Sequence, residues 1–369
     1  MPHTGEPHRN NPDDTVVPRP VDYAVRALLG ALLQDPQQLK TVSGLEPTHL
    51  DDSTHRFLLA AMRTLPLPDP DIHAREPVWL NAVLAAARPE AAGLTGSYLH
   101  QLIQACPRPD HAAAYAHIIM ADHARRTLLA HAEQLAQTAT DTTLPDPGTA
   151  TLAVADTLVR ILDGLASRFP SHAGSLPRTP PPPALPRDTG EDILEEERLL
   201  LAAAIAHPDD LQRMRWLHHD DFALPLHAAL FQCVSPLAHR GDPVDPVTVL
   251  WEAQHRGLLT ADTTADDLVA LLSAPAGPPE YWGERILHRA LLAQADTTAR
   301  RIHHYAEDPA NTPHELITGS RRALAPLHAI RARHARINHP SHPPTAPRTT
   351  PTPAVTRATT LPTTTGVTR

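Results

Sequence analysis

The chain has 369 residues, with 32 Lys and Arg against 41 Asp and Glu, and a formal net charge of −9. It therefore lacks the basic field of a protein that grips nucleic acid over a large area. Its length allows two domains of ordinary size, and only 4% of residues are aromatic. Alanine and leucine dominate the apolar fraction, which favours helix over strand. Cys106 and Cys233 have no CxxC or framework spacing, so both read as small core residues of a protein in a reducing compartment. No apolar run reaches the roughly 18 residues of a membrane span, and the polar, Pro-rich start is unlike a secretory leader, so the expected location is cytoplasmic.

In chain order, residues 1–20 form a polar arm expected to be disordered. A first folded block follows over 21–168. It opens with a helix from Asp22 to Gln34 that carries Val25, Leu28, Leu29 and Leu32 on its apolar side and stops before Pro36. A short helix from His55 to Met62 comes next. A long helix from Ala112 to Thr138 then places Tyr115, Ile118, Ile119, Leu128, Leu129 and Leu135 on one broad stripe. A Pro-containing turn at Leu144–Pro147 leads to a returning helix, Thr149 to Arg168. Residues 169–190 include seven prolines between Pro170 and Pro186 and read as an extended, semi-stiff linker.

The second block, 191–336, repeats the series. Its helices run from Ile193 to Ala206, Leu226 to Ala238, Val247 to His255, Tyr281 to Tyr305 and His314 to Arg336. Asp245 caps the third of these ahead of Pro246, and Gly257 closes it. The openings of the blocks, Leu28-Leu29-Gly-Ala-Leu-Leu-Gln-Asp-Pro36 and Leu200-Leu201-Ala-Ala-Ala-Ile-Ala-His-Pro208, stand at an offset of 208 − 36 = 172. His55 and His227 keep that offset, and Tyr115 and Tyr281 stand 166 apart. This makes one block a diverged copy of the other. The expected fold is all-α: two tandem helical domains, each a small globule plus a long helical hairpin. Residues 337–369, rich in Thr, Pro and Arg, form a tail expected to be disordered.

These residues resemble the N-terminal domain of the bacterial replicative DnaB-type DNA helicase. The resemblance rests on "LLGALLQDP", on "HRFLLAAM" (His55 to Met62), on "RGDPVDPVTVLWEAQHRGLL" (Arg240 to Leu259), and on the long Tyr-led helix with Arg125, Arg126, Leu128 and Leu129. It implies a helical globule with a hairpin that pairs between subunits in a ring-shaped collar binding primase and loading factors. The family's motor is a separate ATPase domain. Here the only lysine, Lys40, follows Leu39 rather than a glycine-rich loop, so no phosphate-binding loop is present and the chain reads as non-enzymatic.

Other chemistry is weakly signalled, and no catalytic, cofactor-binding or metal-binding residue is assigned. His111, His117 and His123 are six apart, about 240° round a helix from one to the next, and do not converge on one ion. His314-Glu315 begins like a zinc-protease motif, but Thr318 stands where the second ligand belongs. Glu191, Asp192, Glu195, Glu196 and Glu197 read as solvated charges complementing a helix start. Candidate protein-interface residues are Leu128, Leu135, Leu291 and Ile302, with intradomain core as the alternative. Arg125, Arg126, Arg300 and Arg301 are candidate polar contacts, with ordinary exposed arginine as theirs. The functional expectation is an adaptor or regulator at the replication machinery that binds primase, a loader or the replicative helicase. The alternative is a nucleic-acid-binding regulator using the Arg-containing tail. The expected state is a monomer whose two hairpins form an internal pseudo-dimer.

Overall fold

The computed structural model describes residues 18–73, 75–170, 174–183, 189–274, 277–338 and 366. Most of the predicted arm and tail lies outside these residues. Among the described residues every regular element is helical. The α-helices are α1 (Pro20–Gln34), α2 (Ser53–Thr64), α3 (Pro70–His73), α4 (Val78–Ala87), α5 (Gly96–Gln104), α6 (Ala112–Thr140) and α7 (Pro147–Arg168) in the first half. The second half contributes α8 (Glu191–Ala206), α9 (Pro208–Leu211), α10 (Pro225–Arg240), α11 (Pro246–His255), α12 (Ala265–Leu272), α13 (Pro279–Glu307) and α14 (Pro313–Asn338). Each helix expected from sequence is present, and α3, α4, α5, α9 and α12 are additional. Gly257, at φ +69°, supplies the left-handed conformation just past the end of α11.

Each half is organised around its first long helix. Helix α1 is buried on nearly every side, with Leu28, Leu29 and Leu32 fully enclosed. Its close neighbour α5 crosses at Gly30, where a Cβ would lie only 2.0 Å from the Leu102 carbonyl oxygen. The indole of Trp79 on α4 donates to the Leu32 carbonyl at 3.0 Å, so the end of α1 is satisfied inside the core. In the second half, α8 buries the continuous run Leu200–Ala204 in the same way.

The long helices α6 and α13 each span 29 residues, at an offset of 279 − 112 = 167. At that offset every buried residue of α6 has a buried counterpart on α13: Ala112, Ala116, Ile119, Ala124, Leu128, Ala132, Leu135 and Ala139 answer Pro279, Gly283, Ile286, Leu291, Ala295, Ala299, Ile302 and Ala306. The register therefore differs by one from the offset of 166 read at Tyr115 and Tyr281. The buried stripe also differs from the expected one. Ile118 is exposed, while Tyr115 and Leu129 are only partly buried, and alanines take the inner positions. Small side chains let helix backbones approach closely, and α6 and α13 pack along much of their length.

The packed core does not divide at the Pro-rich segment. One core gathers residues Val21 to Ile119, and the other begins at Ala124 within α6 and runs through α7 and the whole second half to Ile330. Met120 packs against both. Helix α6 is thus a beam whose first part belongs to the first globule and whose remainder is built into the second half.

His49 sits where the first globule meets the middle of α6. Its Nδ1 accepts from the Glu46 backbone N–H at 3.0 Å, and its ring lies 4.5 Å from that of His123. Burial, reinforced by His123 and Arg168, pushes the His49 pKa from 6.5 down to about 4, and burial also lowers that of His123. A depressed folded pKa means that the stabilisation is complete above pH 6.5 and is lost as pH falls toward 4. Thermal melts from pH 7 to 4 should show a steeper loss of Tm for the native chain than for His49→Asn. Parallel curves would refute the assignment.

Candidate protein interface

The four apolar candidates, Leu128 and Leu135 on α6 with Leu291 and Ile302 on α13, are all fully buried and belong to one core. The seam they line is occupied within the chain by α6 against α13. The outer helices follow the same pairing: Asp163 and Asp156 on α7 meet Arg321 and Arg331 on α14. These are half-exposed pairs and contribute little each, about 0–1 kcal/mol, but they fix the alignment of α7 and α14.

Arg125 makes the most specific contact between the halves. From the middle of α6 its guanidinium donates to the carbonyls of Ala306 at 2.8 Å, Asp308 at 2.6 Å and Asn311 at 2.6 Å. Those carbonyls lie at the end of α13 and in the turn to α14, where a helix leaves its last acceptors without intrahelical partners. Buried Asn311 works from the other side of the turn. Its amide donates to the Tyr305 carbonyl at 2.9 Å and to the Thr179 hydroxyl at 2.7 Å.

Thr179 belongs to the Pro-rich segment, the extended, semi-stiff linker expected from sequence. Residues 174–183 lie against the second hairpin. The Arg178 amide donates to Asn311 Oδ1 at 2.9 Å, and its side chain pairs with Glu315 at 3.2 Å. The Thr179 hydroxyl donates to Asp308 Oδ2 at 2.5 Å, holding that carboxyl below the usual range. Gly319 on α14 makes room for the segment, since a Cβ there would come within 2.4 Å of Pro177 Cγ. Phe169 is buried with its ring edge-on to His117 of α6 and His314 of α14.

The remaining arginine candidates separate. Arg126 binds inside the first half, to Asp122 at 2.8 Å, Asp51 at 3.1 Å and the His49 carbonyl at 2.8 Å. Adjacent arginines of α6 thus hold opposite halves of the chain. Arg300 pairs locally with Asp296 one turn away at 2.9 Å, and no partner of Arg301 is present among the described residues.

The acidic start of α8 is only partly solvated. Glu196 joins Arg285 and Arg289, the latter at 2.6 Å. Glu197 is fully buried and accepts from the Ala223 and Leu224 backbone N–H groups and from His227 Nδ1 at 2.8 Å. It therefore anchors the start of α10 to α8, a role invisible in a run of acids because its partners are mostly backbone.

With the hairpin seam filled, exposed apolar side chains lie elsewhere. Val247 and Trp251, one turn apart on α11, are 69% and 61% exposed, and Tyr281 near the start of α13 is 54% exposed. None was singled out from sequence as a contact. Their signal was available in the apolar residues of α11, of which only Val249 and Ala253 are buried.

Residues 191–281, from α8 to the first turn of α13, match the family model described as DnaB-like helicase N terminal domain. The chain is also 30% identical over 150 residues to the replicative DNA helicase DnaB of Mycobacterium leprae (strain TN), an alignment covering 39% of this chain and 23% of that protein. The chain thus spans about a quarter of that relative's length. No solved structure matches the chain.

The interlocked hairpins give a direct expectation. With a protease site inserted between Pro183 and Thr189, cleavage should leave the two pieces in one complex on size exclusion, because α6 remains packed on α13. Arg125→Ala removes the donor of a set of turn carbonyls and should weaken the complex. Two freely separating folded pieces after cleavage of the chain that keeps Arg125 would contradict the shared core.

Proposed function

We propose that this chain is a non-catalytic protein of DNA replication, an adaptor or regulator built from two tandem domains of the helicase N-terminal type, over 21–168 and 191–336. The observation that carries the reading is the match of residues 191–281 to the DnaB-like helicase N terminal domain. The tandem arrangement is supported by the coincident burial of α6 and α13 over 29 residues at one offset. Its partner is primase, a loader or the replicative helicase.

In this reading the hairpin seam is satisfied within a single chain, and the chain is a monomer with an internal pseudo-dimer. Intramolecular pairing is favoured because the connecting segment keeps the second hairpin at high effective concentration. A partner then meets the outer surfaces, and α11 offers the apolar anchor. Val247 and Trp251 form an i, i+4 pair of the sort that seats in a hydrophobic groove, with the large ring supplying most of the contact.

The test is binding of the purified chain to the purified primase, loader and replicative helicase of its own host. One of the three is expected to bind, and Trp251→Ala is expected to weaken that complex at least tenfold, about 1.4 kcal/mol or more. Helical content should be unchanged, since the residue is exposed. Failure of all three to bind would overturn the reading. Binding indifferent to Trp251 would remove α11 as the contact.

A further inference from the structure

An open cleft of about 670 Å³ lies on the second half, between α10, the 212–219 segment and the residue that follows α11. Its lining includes Arg215, Arg256, His218, His219, Gln232 and Ser235, and no carboxylate. The protein as a whole carries a net charge of −9, so a cleft lined this way is a local reversal of sign.

The arginines of this region are treated in two ways. Arg213 pairs with Asp210 at 2.8 Å and with Glu280 at 3.0 Å, and Arg240 pairs with Asp242 at 2.7 Å. Arg215 and Arg256, the two that line the cleft, are exposed and have no hydrogen-bond or ion-pair partner among the described residues. Glu252, one turn before Arg256, forms no ion pair with it among those residues. Of the nearby acids, Asp221 is buried against Arg333, and the exposed Asp220 stands at the rim, 3.3 Å from His219.

We propose that this cleft is a binding site for a phosphate group. Two unpaired guanidinium forks and the Gln232 amide supply more donors than the two oxygens of a carboxylate accept, while the Ser235 hydroxyl is shared with His239 at 3.3 Å. A phosphate presents three acceptor oxygens and up to two charges, and takes two forks at once. Phe231, the lining's one phenyl ring, is buried, so the exposed lining is polar and cationic. The recognised chemistry is the phosphate itself, whether carried by a small molecule or by a nucleic-acid backbone.

The full chain is titrated calorimetrically at low salt with inorganic pyrophosphate, a single-stranded thymidine oligonucleotide and a glutamate-rich peptide. Pyrophosphate is expected to bind, with Arg215→Ala and Arg256→Ala each weakening it about tenfold and Arg213→Ala leaving it unchanged. Both cleft arginines are exposed, so circular dichroism should match the native chain. Oligonucleotide binding with the same dependence on Arg215 and Arg256, and pyrophosphate much weaker, supports the site and assigns its phosphate to nucleic acid. The proposal is overturned if no phosphate probe binds, if binding ignores Arg215 and Arg256, or if only the peptide binds.

Discussion

The turn between α13 and α14 is the point on which the arrangement of the two halves depends. A helix end buried against another element cannot leave its last carbonyls unpaired, and each one so left costs about 1–3 kcal/mol. Here the donors are Arg125, from the distant α6, and Asn311 in the turn itself, which also holds Thr179 of the Pro-rich segment. Closing this one turn ties down the first hairpin, the second hairpin and the segment that joins them. Around it the alanine-rich faces of α6 and α13 bury a continuous core.

That constraint shapes what the molecule has left to offer. The apolar residues of the α6–α13 seam are buried within the chain, and the first globule is left with a core of its own that meets the rest through α6 and Met120. Two exposed features of the second half differ in character. There α11 presents Val247 and Trp251, and a separate cleft presents Arg215 and Arg256. One is apolar and the other cationic, so they suit ligands of different chemistry.

Much of the architecture was legible in the sequence because the hairpins carry strong helical periodicity and Pro or Gly at their ends. The helices that escaped notice are short, such as the four-residue α3 and α9, or apolar with little contrast between faces, such as α4. The inner face of α6 was misplaced for a different reason. Alanine carries little apolar weight, so Ile118 and Leu129 drew the stripe toward themselves, whereas close helix packing selects Ala124, Ala132 and Ala139. Leu128, Leu135, Leu291 and Ile302, expected as interface residues with core as the alternative, are buried in one core. The work of Arg125 and Glu197 was not legible, since their targets are backbone carbonyls and N–H groups, which leave no mark in the residue pattern.

The central claim, that the hairpins pair within one chain, is tested by spin labels on Asp163→Cys and Arg321→Cys, with Cys106 and Cys233 replaced by serine and alanine. The two native side chains form an ion pair across α7 and α14, and both are substantially exposed. The account predicts a short distance whose signal persists undiminished when labelled chain is diluted into an excess of unlabelled chain. A signal that fades on dilution, or a long distance throughout, would contradict it.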